Sequence, residues 1–325
     1  MSSLVSPWTR PRDPSEKPLL AVGTMNFGKR TPEDESIRLV HHALDRGLIL
    51  FDTANAYVDG NSERILGKAL AGRRDQALVA TKVGFGRTAG KPEGLSRARV
   101  LAAVDESLAR LGMEFVDVYY LHVPDPATPI EETLDAVQTL LASGKIRAWA
   151  VSNYASWQVL EMFHLAEQRG MPRPVMSQVL YNVLIRQLDI EYFRFTKKYG
   201  LHSTVYNPLA GGLLSGKHAP STEPTKGSRF EKNPLYQRRY WTDRFFELAS
   251  AYRDVAESHG MTLVELAYAY VAGTPGVDSI LVGPGSIAHL DAAIDACAKE
   301  LPAEARQRVD QLYRDFQGTD ASYAR

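Results

Sequence analysis

Eight short apolar runs, each closed by turn residues, recur along the chain and read as buried strands: "LLAVGT" (19–24), "LILFDT" (48–53), "ALVATK" (77–82), "VDVYYLH" (116–122), "KIRAWAVSN" (145–153), "VMSQV" (175–179), "HSTVY" (202–206) and "SILVG" (279–283). Between them the apolar positions switch to helical spacing, as at Val100, Val104, Leu108 and Leu111, or at Leu134, Val137 and Leu141. Several of these stretches stop at a glycine (Gly47, Gly112, Gly144, Gly170, Gly200), where the end of a helix favours a left-handed residue. Strand then helix is the repeating unit, and strands of nearly continuous apolar character predict an α/β protein with a parallel sheet covered by helices.

A doubly wound sheet and a (β/α)8 TIM barrel both satisfy that pattern. The first usually carries G-x-G-x-x-G after its opening strand, and "AVGTMNFGK" lacks that spacing, so the expectation is one barrel domain over residues 1–325. Residues 207–242 interrupt the rhythm with Pro, Gly and charge and read as a functional loop after the seventh strand. The stretch "PAEARQRVDQLYRDF" predicts a last helix with no strand behind it, a C-terminal capping helix and tail over 302–325.

Composition narrows the partners. In 325 residues, 44% hydrophobic, a large core is available, and 38 basic residues balance 38 acidic ones, so no overall charge draws the chain to nucleic acid or an anionic membrane. A small-molecule partner is expected. Cys297 is the single cysteine and cannot form an internal disulfide, and "MSSLVSPWTRPRDPSEKP" lacks the apolar centre of a secretion signal, so a cytoplasmic setting is expected. No run approaches the roughly 18 apolar residues of a membrane helix.

In such barrels chemistry gathers at the C-terminal ends of strands. There stand Asp52 and, in the following turn, Tyr57; then Lys82, His122, Ser152 with Asn153, Gln178 and Tyr206. Each also has a structural role open to it: Asp52 as a helix cap, Lys82 as a partner for any carboxylate, His122 as a bonded core histidine. Together, four ionisable groups of complementary type on three consecutive strand ends would share one pocket of low dielectric, where none survives unpaired. That set suits acid catalysis by a phenol. A free tyrosine, with a pKa of about 10, is a poor acid near neutrality, and the expectation is that the Lys82 ammonium, held by Asp52, lowers it while His122 orients a carbonyl oxygen.

At these residues the sequence resembles the aldo-keto reductases, over nearly the whole chain and through "GTMNFG", "FDTANAY", "VATKVG", "DVYYLHVPD", "GKIRAWAVSNY" and "YNPLAGGLLSGK". The resemblance implies a catalytic tetrad of Asp52, Tyr57, Lys82 and His122, the barrel fold, and reversible hydride transfer between NADP(H) and a carbonyl or alcohol. The loop, "SRF", "RRYW" and "SYAR" look most like the aflatoxin aldehyde and succinic semialdehyde reductase branch.

By the same resemblance the cofactor would meet Gly23, Thr24 and Met25 after the first strand, Asp52, the carboxamide partners Ser152, Asn153 and Gln178, and Tyr206 as the face on which nicotinamide stacks. Asn207, Pro208, Leu209, Gly211, Gly216 and Lys217 in the long loop, and Arg229, would cover its pyrophosphate. "GGLLSGKH" mimics a triphosphate-binding loop, but His218 replaces the Ser or Thr that would hold magnesium and Pro220 discourages the helix, so that reading is set aside. Gly283, Gly285, Ser286 and His289 fall where the family holds the adenosine end. There the match degrades: His289 stands where arginine is common, and Ala292 and Ala293 where Glu or Gln and Asn usually hold the adenine. NADP(H) is the expected cofactor, with NAD(H) possible.

The pocket wall is expected from Met25, Phe27 and Phe85, with Tyr236 or Trp241 from the loop and Tyr323 or Arg325 from the tail. A carbonyl beside an apolar or aromatic body would suit it. Two other readings stay open on this scaffold: an NADP-binding regulatory subunit like the potassium-channel beta subunits, and an NAD-linked sugar or sugar-nucleotide enzyme. No metal is expected, since H-E-x-x-H and C-x-x-C are lacking and His41 and His42, adjacent on a helix, face different ways.

Overall fold

In the computed structural model, residues 6–88, 90–220, 223–319 and 322–324 are described. In chain order they form β1 (Leu19–Gly23), α1 (Glu33–Asp45), β2 (Leu50–Asp52), α2 (Asn61–Ala69) and β3 (Leu78–Val83), then a short hairpin of β4 (Arg87–Thr88) and β5 (Lys91–Pro92). Next come α3 (Arg97–Leu111), β6 (Val116–Leu121), α4 (Ile130–Ala142), β7 (Ile146–Ser152), α5 (Ser156–Gln168), β8 (Met176–Leu180), α6 (Tyr192–Tyr199) and β9 (His202–Tyr206). The chain continues through α7 (Pro234–Tyr240), α8 (Asp243–Ser258), α9 (Leu263–Ala272), β10 (Ser279–Val282), α10 (Ile287–Ala298) and α11 (Ala303–Gln317).

Eight strands close into a barrel in the order β1-β2-β3-β6-β7-β8-β9-β10, and β10 pairs back to β1 with Leu19 opposite Ser279. Every pair in the ring is parallel, as the eight apolar runs predict. Side chains alternate across each strand. Ala21, Leu50, Leu78, Ala80, Val118, Tyr120, Ala150 and Met176 fill the barrel interior, while Val22, Phe51, Val79, Tyr119, Trp149 and Val151 face the helices.

Three features escape the strand and helix rhythm. Trp8, in a 3-10 turn (Ser6–Thr9), is buried in the interior cluster and packs on His202, filling the end of the barrel away from the strand C-termini. The β4–β5 hairpin has two-residue strands outside the ring. Between β9 and β10 lie a 3-10 turn (Ala210–Ser215) and three helices, not one, and α11 packs along α8.

Candidate active site

The inward alternation that fills the barrel also builds the site. Counting every second residue from Leu50, Leu78 or Ala80, Val118 or Tyr120, Ala150 and Met176 reaches Asp52, Lys82, His122, Ser152 and Gln178, and each lines or underlies one cleft at the strand ends. Lys82 Nζ donates to Asp52 and to the Thr53 carbonyl at 2.7 Å, and Gln178 Nε2 donates to Asp52 Oδ2 at 2.9 Å. The Lys82 and Asp52 side chains are 0% and 2% exposed, so the pair is shielded from water. Lys82 Nζ also sits 5.1 Å from the centre of the Tyr57 ring and 5.5 Å from that of Tyr120. Tyr57 opens a 3-10 turn in which Val58 and Asp59 adopt left-handed backbone (φ 50° and 52°), a costly geometry for a β-branched residue and one that gathers at functional sites.

Burial rules the ionisation of this group. It raises the Tyr57 phenol well above the usual tyrosine value, and the Asp52 carboxylate raises it further. This corrects the expectation of a lysine-lowered phenol: the Lys82 ammonium is bonded to Asp52 and the Thr53 carbonyl, and burial outweighs its presence near the Tyr57 ring. Burial lowers Lys82 itself, against the pull of Asp52. Burial and then the Lys82 charge hold His122 well below the ordinary histidine value, so it is a neutral imidazole at neutral pH. Its Nδ1 is buried without a hydrogen-bond partner, its ring stands edge-on to Tyr57 at 5.9 Å, and Phe85 packs against it at 5.0 Å.

The cleft above these residues measures about 690 Å³. Its lining includes Gly23, Met25, Ser152, Asn153, Tyr206, Asn207, Pro208, Leu209, Gly211, Arg229, Tyr236, Gly283, Gly285 and His289, all anticipated from sequence. Tyr206 is pinned by its hydroxyl, which donates to Asn153 Oδ1 at 2.7 Å, while Asn153 Nδ2 donates to the His122 carbonyl and to Ser152 Oγ. Gly211 has φ 70°, and a Cβ there would lie 2.7 Å from the Tyr236 ring, so only glycine lets the loop lie under that ring.

Other anticipated residues lie elsewhere. Phe27 is fully buried in the helix-facing core, not in the pocket wall, because its turn folds back under α2 with Gly28 against Asn61 and Ile65. Thr24 is buried, its hydroxyl bonded to Ser62. Trp241 packs among Phe230, His218 and Phe246 behind the cleft. Gly216 and Lys217 are exposed beyond the lining, and Ser286 caps α10 by accepting from the His289 N–H. Tyr323 is 82% exposed and Arg325 falls outside the described residues.

Sequence reasoning missed Asn26, Arg30, Leu235, Arg239 and Tyr268, which also line the cleft. Arg239 stands near Tyr206 and opposes part of the burial that raises its phenol. The connection after β3 is held by a buried carboxylate: Glu93 accepts from the Gly84 and Gly86 N–H groups (2.8 and 3.2 Å), from Asn55 Nδ2 (2.7 Å) and from Arg99 Nε (3.0 Å). Among the described residues no cluster of His, Cys, Asp or Glu is arranged to hold a metal, and no helix is long and apolar enough to cross a membrane.

Residues 19–314 match the family model described as "Aldo/keto reductase family". Among curated proteins, "Aflatoxin B1 aldehyde reductase member 2" of Homo sapiens is 35% identical over 314 residues, covering 90% of this chain and 85% of that protein. "Aldo-keto reductase family 7 member A3" of Homo sapiens is 35% identical over 310 residues, covering 89% and 91%. "Probable voltage-gated potassium channel subunit beta" of Oryza sativa subsp. japonica is 32% identical over 265 residues, covering 80% of each chain.

Proposed function

The chain belongs to the aldo/keto reductase family and is thereby an NAD(P)H-dependent oxidoreductase, and from that premise we propose that it reduces an aldehyde or ketone to the alcohol with NADPH, Tyr57 acting as the general acid. The observation that carries this reading is the fully buried Lys82–Asp52 pair beneath Tyr57, beside a neutral His122, at one cleft.

The residues present fit a nicotinamide dinucleotide. Tyr206 offers an aromatic face fixed by Asn153, Ser152 and Gln178 line the same floor, glycines at 211, 283 and 285 admit close approach, and Arg229 supplies positive charge. We assign the loop over 207–242 to covering the cofactor, with Leu209 and Gly211 making contact mainly through backbone groups. When bound, the reduced nicotinamide supplies the hydride.

Tyr57 Oη gives its proton to the carbonyl oxygen as that oxygen gains charge, and burial guarantees that the proton is present at neutral pH. The ammonium of Lys82, fixed by Asp52 and the Thr53 carbonyl, stabilises the phenolate that forms. His122, neutral and braced by Phe85, donates from the imidazole to the same oxygen and orients it. Phe85, Leu235 and Tyr236 exclude water and receive an apolar or aromatic substrate body. A cytoplasmic location belongs to the same proposal and suits a buried Cys297 thiol pushed up to about 12 by burial, which keeps it protonated and inert.

Initial rates of NADPH and NADH oxidation with para-nitrobenzaldehyde test this reading. Turnover favouring NADPH is expected. Turnover with NADH alone contradicts it and favours an NAD-linked sugar enzyme. The 32% identity to a protein named as a channel subunit favours a second reading, a regulatory module, which predicts bound NADPH without oxidation by any carbonyl.

A further inference from the structure

Arg30, in the turn between β1 and α1, lines the same cleft as Gly285 and His289. Its Nη1 donates to Asn26 Oδ1 at 3.1 Å, and the same oxygen accepts from Arg229 Nη2 at 2.9 Å. Two guanidinium groups thus converge on one neutral amide. The charge that acts most on Arg30 is Arg229, which opposes its own, and among the described residues no carboxylate acts on it. Half-burying two like charges side by side is unfavourable unless an anion joins them.

The two cations belong to different elements, Arg30 to the turn after β1 and Arg229 to the long connection after β9. Arg229 reaches the Tyr236 hydroxyl at 3.3 Å and comes within 3.9 Å of where a Cβ on Gly283 would stand, so it faces the strand end. Next to Arg30 in the chain, Thr31 Oγ1 donates to the Gly285 carbonyl at 3.3 Å, which joins the β1–α1 turn to the turn before α10, where His289 Nδ1 lies 3.5 Å from a Cβ position on Gly285. Lys217 adds positive charge to the same rim, where it helps hold His289 below the ordinary histidine value. A neutral His289 cannot supply the bidentate charge of a guanidinium. Glu35, which accepts from the Ile287 N–H at the start of α10, is paired with Arg38 at 2.5 Å and leaves the rim cationic.

We infer that Arg30 receives a phosphate monoester at the adenosine end of the dinucleotide, and so sets a preference for NADP(H) over NAD(H) from the β1–α1 turn. The inference rests on the dinucleotide reading proposed above. A monoester carries close to two charges near neutral pH and offers several acceptor oxygens, which a planar guanidinium matches with two parallel hydrogen bonds. The competing role for Arg30 is only to brace Asn26, and it affects both dinucleotides alike.

Calorimetric titration of the whole protein with NADP+ and with NAD+ separates the two. In the unaltered protein NADP+ binds more tightly. Arg30→Met is expected to weaken NADP+ by about tenfold or more while NAD+ stays within about twofold, and Arg30→Lys to fall between, keeping charge without the fork. An equal loss for both dinucleotides, no loss for either, or a native preference for NAD+ overturns the inference. Thermal midpoints of both variants within a few degrees of the unaltered protein exclude misfolding as the cause of a selective loss. Failure of the unaltered protein to bind either dinucleotide overturns the parent reading and this inference with it. NADP+ binding that survives Arg30→Met unchanged overturns the inference alone.

Discussion

Tyr57 is a weak acid that burial keeps loaded. Desolvation and Asp52 both hold the phenol protonated, and the Lys82 charge lies over the ring, so in the proposed reaction assistance to proton transfer comes as the phenolate develops and not from a lowered resting pKa. His122 lies on the other side of neutrality, held low by burial and by Lys82. Neither group changes charge between about pH 6.5 and 9, the span between ordinary histidine and tyrosine behaviour. Neither group is therefore expected to put a titration near pH 7 into the rate of carbonyl reduction at saturating substrate; such a titration in the pH profile contradicts the assignment. These residues were legible because strand alternation fixes which side chains point inward once the strands are placed. The direction of the Tyr57 shift was not, because sequence gives neither the depth of burial nor the side of the ring on which an ammonium lies.

Among the connecting elements, the segment between β3 and α3 brings Phe85 to the pocket and is held by one carboxylate. Glu93, with a side chain 3% exposed, gathers two backbone amides, Arg99 and Asn55, and Asn55 belongs to the turn that delivers Tyr57. Its carboxylate thereby ties the segment of Phe85, which packs on His122, and the turn before Tyr57 to the same anchor. Glu93→Ala leaves Arg99 short of a buried partner and two amides without an acceptor, and should cost about 3 kcal/mol. Faster hydrogen exchange at Gly84 and Gly86 and a raised KM are expected, and exchange unchanged from the parent protein would rule out this anchoring role. Apolar runs and helical spacing made the eight barrel strands readable. The hairpin left no such mark, since "RT" and "KP" are too short to carry a period, and nothing local links Asn55 to a carboxylate 38 residues away.

For the whole molecule, the barrel separates a reactive end from a structural one. At the structural end, fully buried His202 engages the Arg10 carbonyl through Nδ1 and Ser279 Oγ through Nε2, both at 2.8 Å, beneath Trp8. Burial lowers its pKa to about 4. The unfolded chain therefore takes up this proton near pH 6.5 while the folded one resists until about pH 4, so the contribution is complete above pH 6.5 and is lost as pH falls towards 4, on the order of 3 kcal/mol. Urea midpoints taken across that range should fall with acidification, and His202→Gln should flatten that part of the curve; an equal slope in the variant contradicts the assignment. Neither this plug nor the Arg30 and Arg229 pair was visible in sequence, because "SPWT" has no periodicity and two arginines some 200 residues apart meet only when the barrel closes. In the proposed reaction one proton, that of Tyr57, carries the chemistry at the barrel mouth, and turnover and NADP+ affinity of Tyr57→Phe beside the parent protein report it. NADP+ affinity within about threefold and turnover reduced roughly a thousandfold are expected; turnover retained in the variant contradicts Tyr57 as the acid.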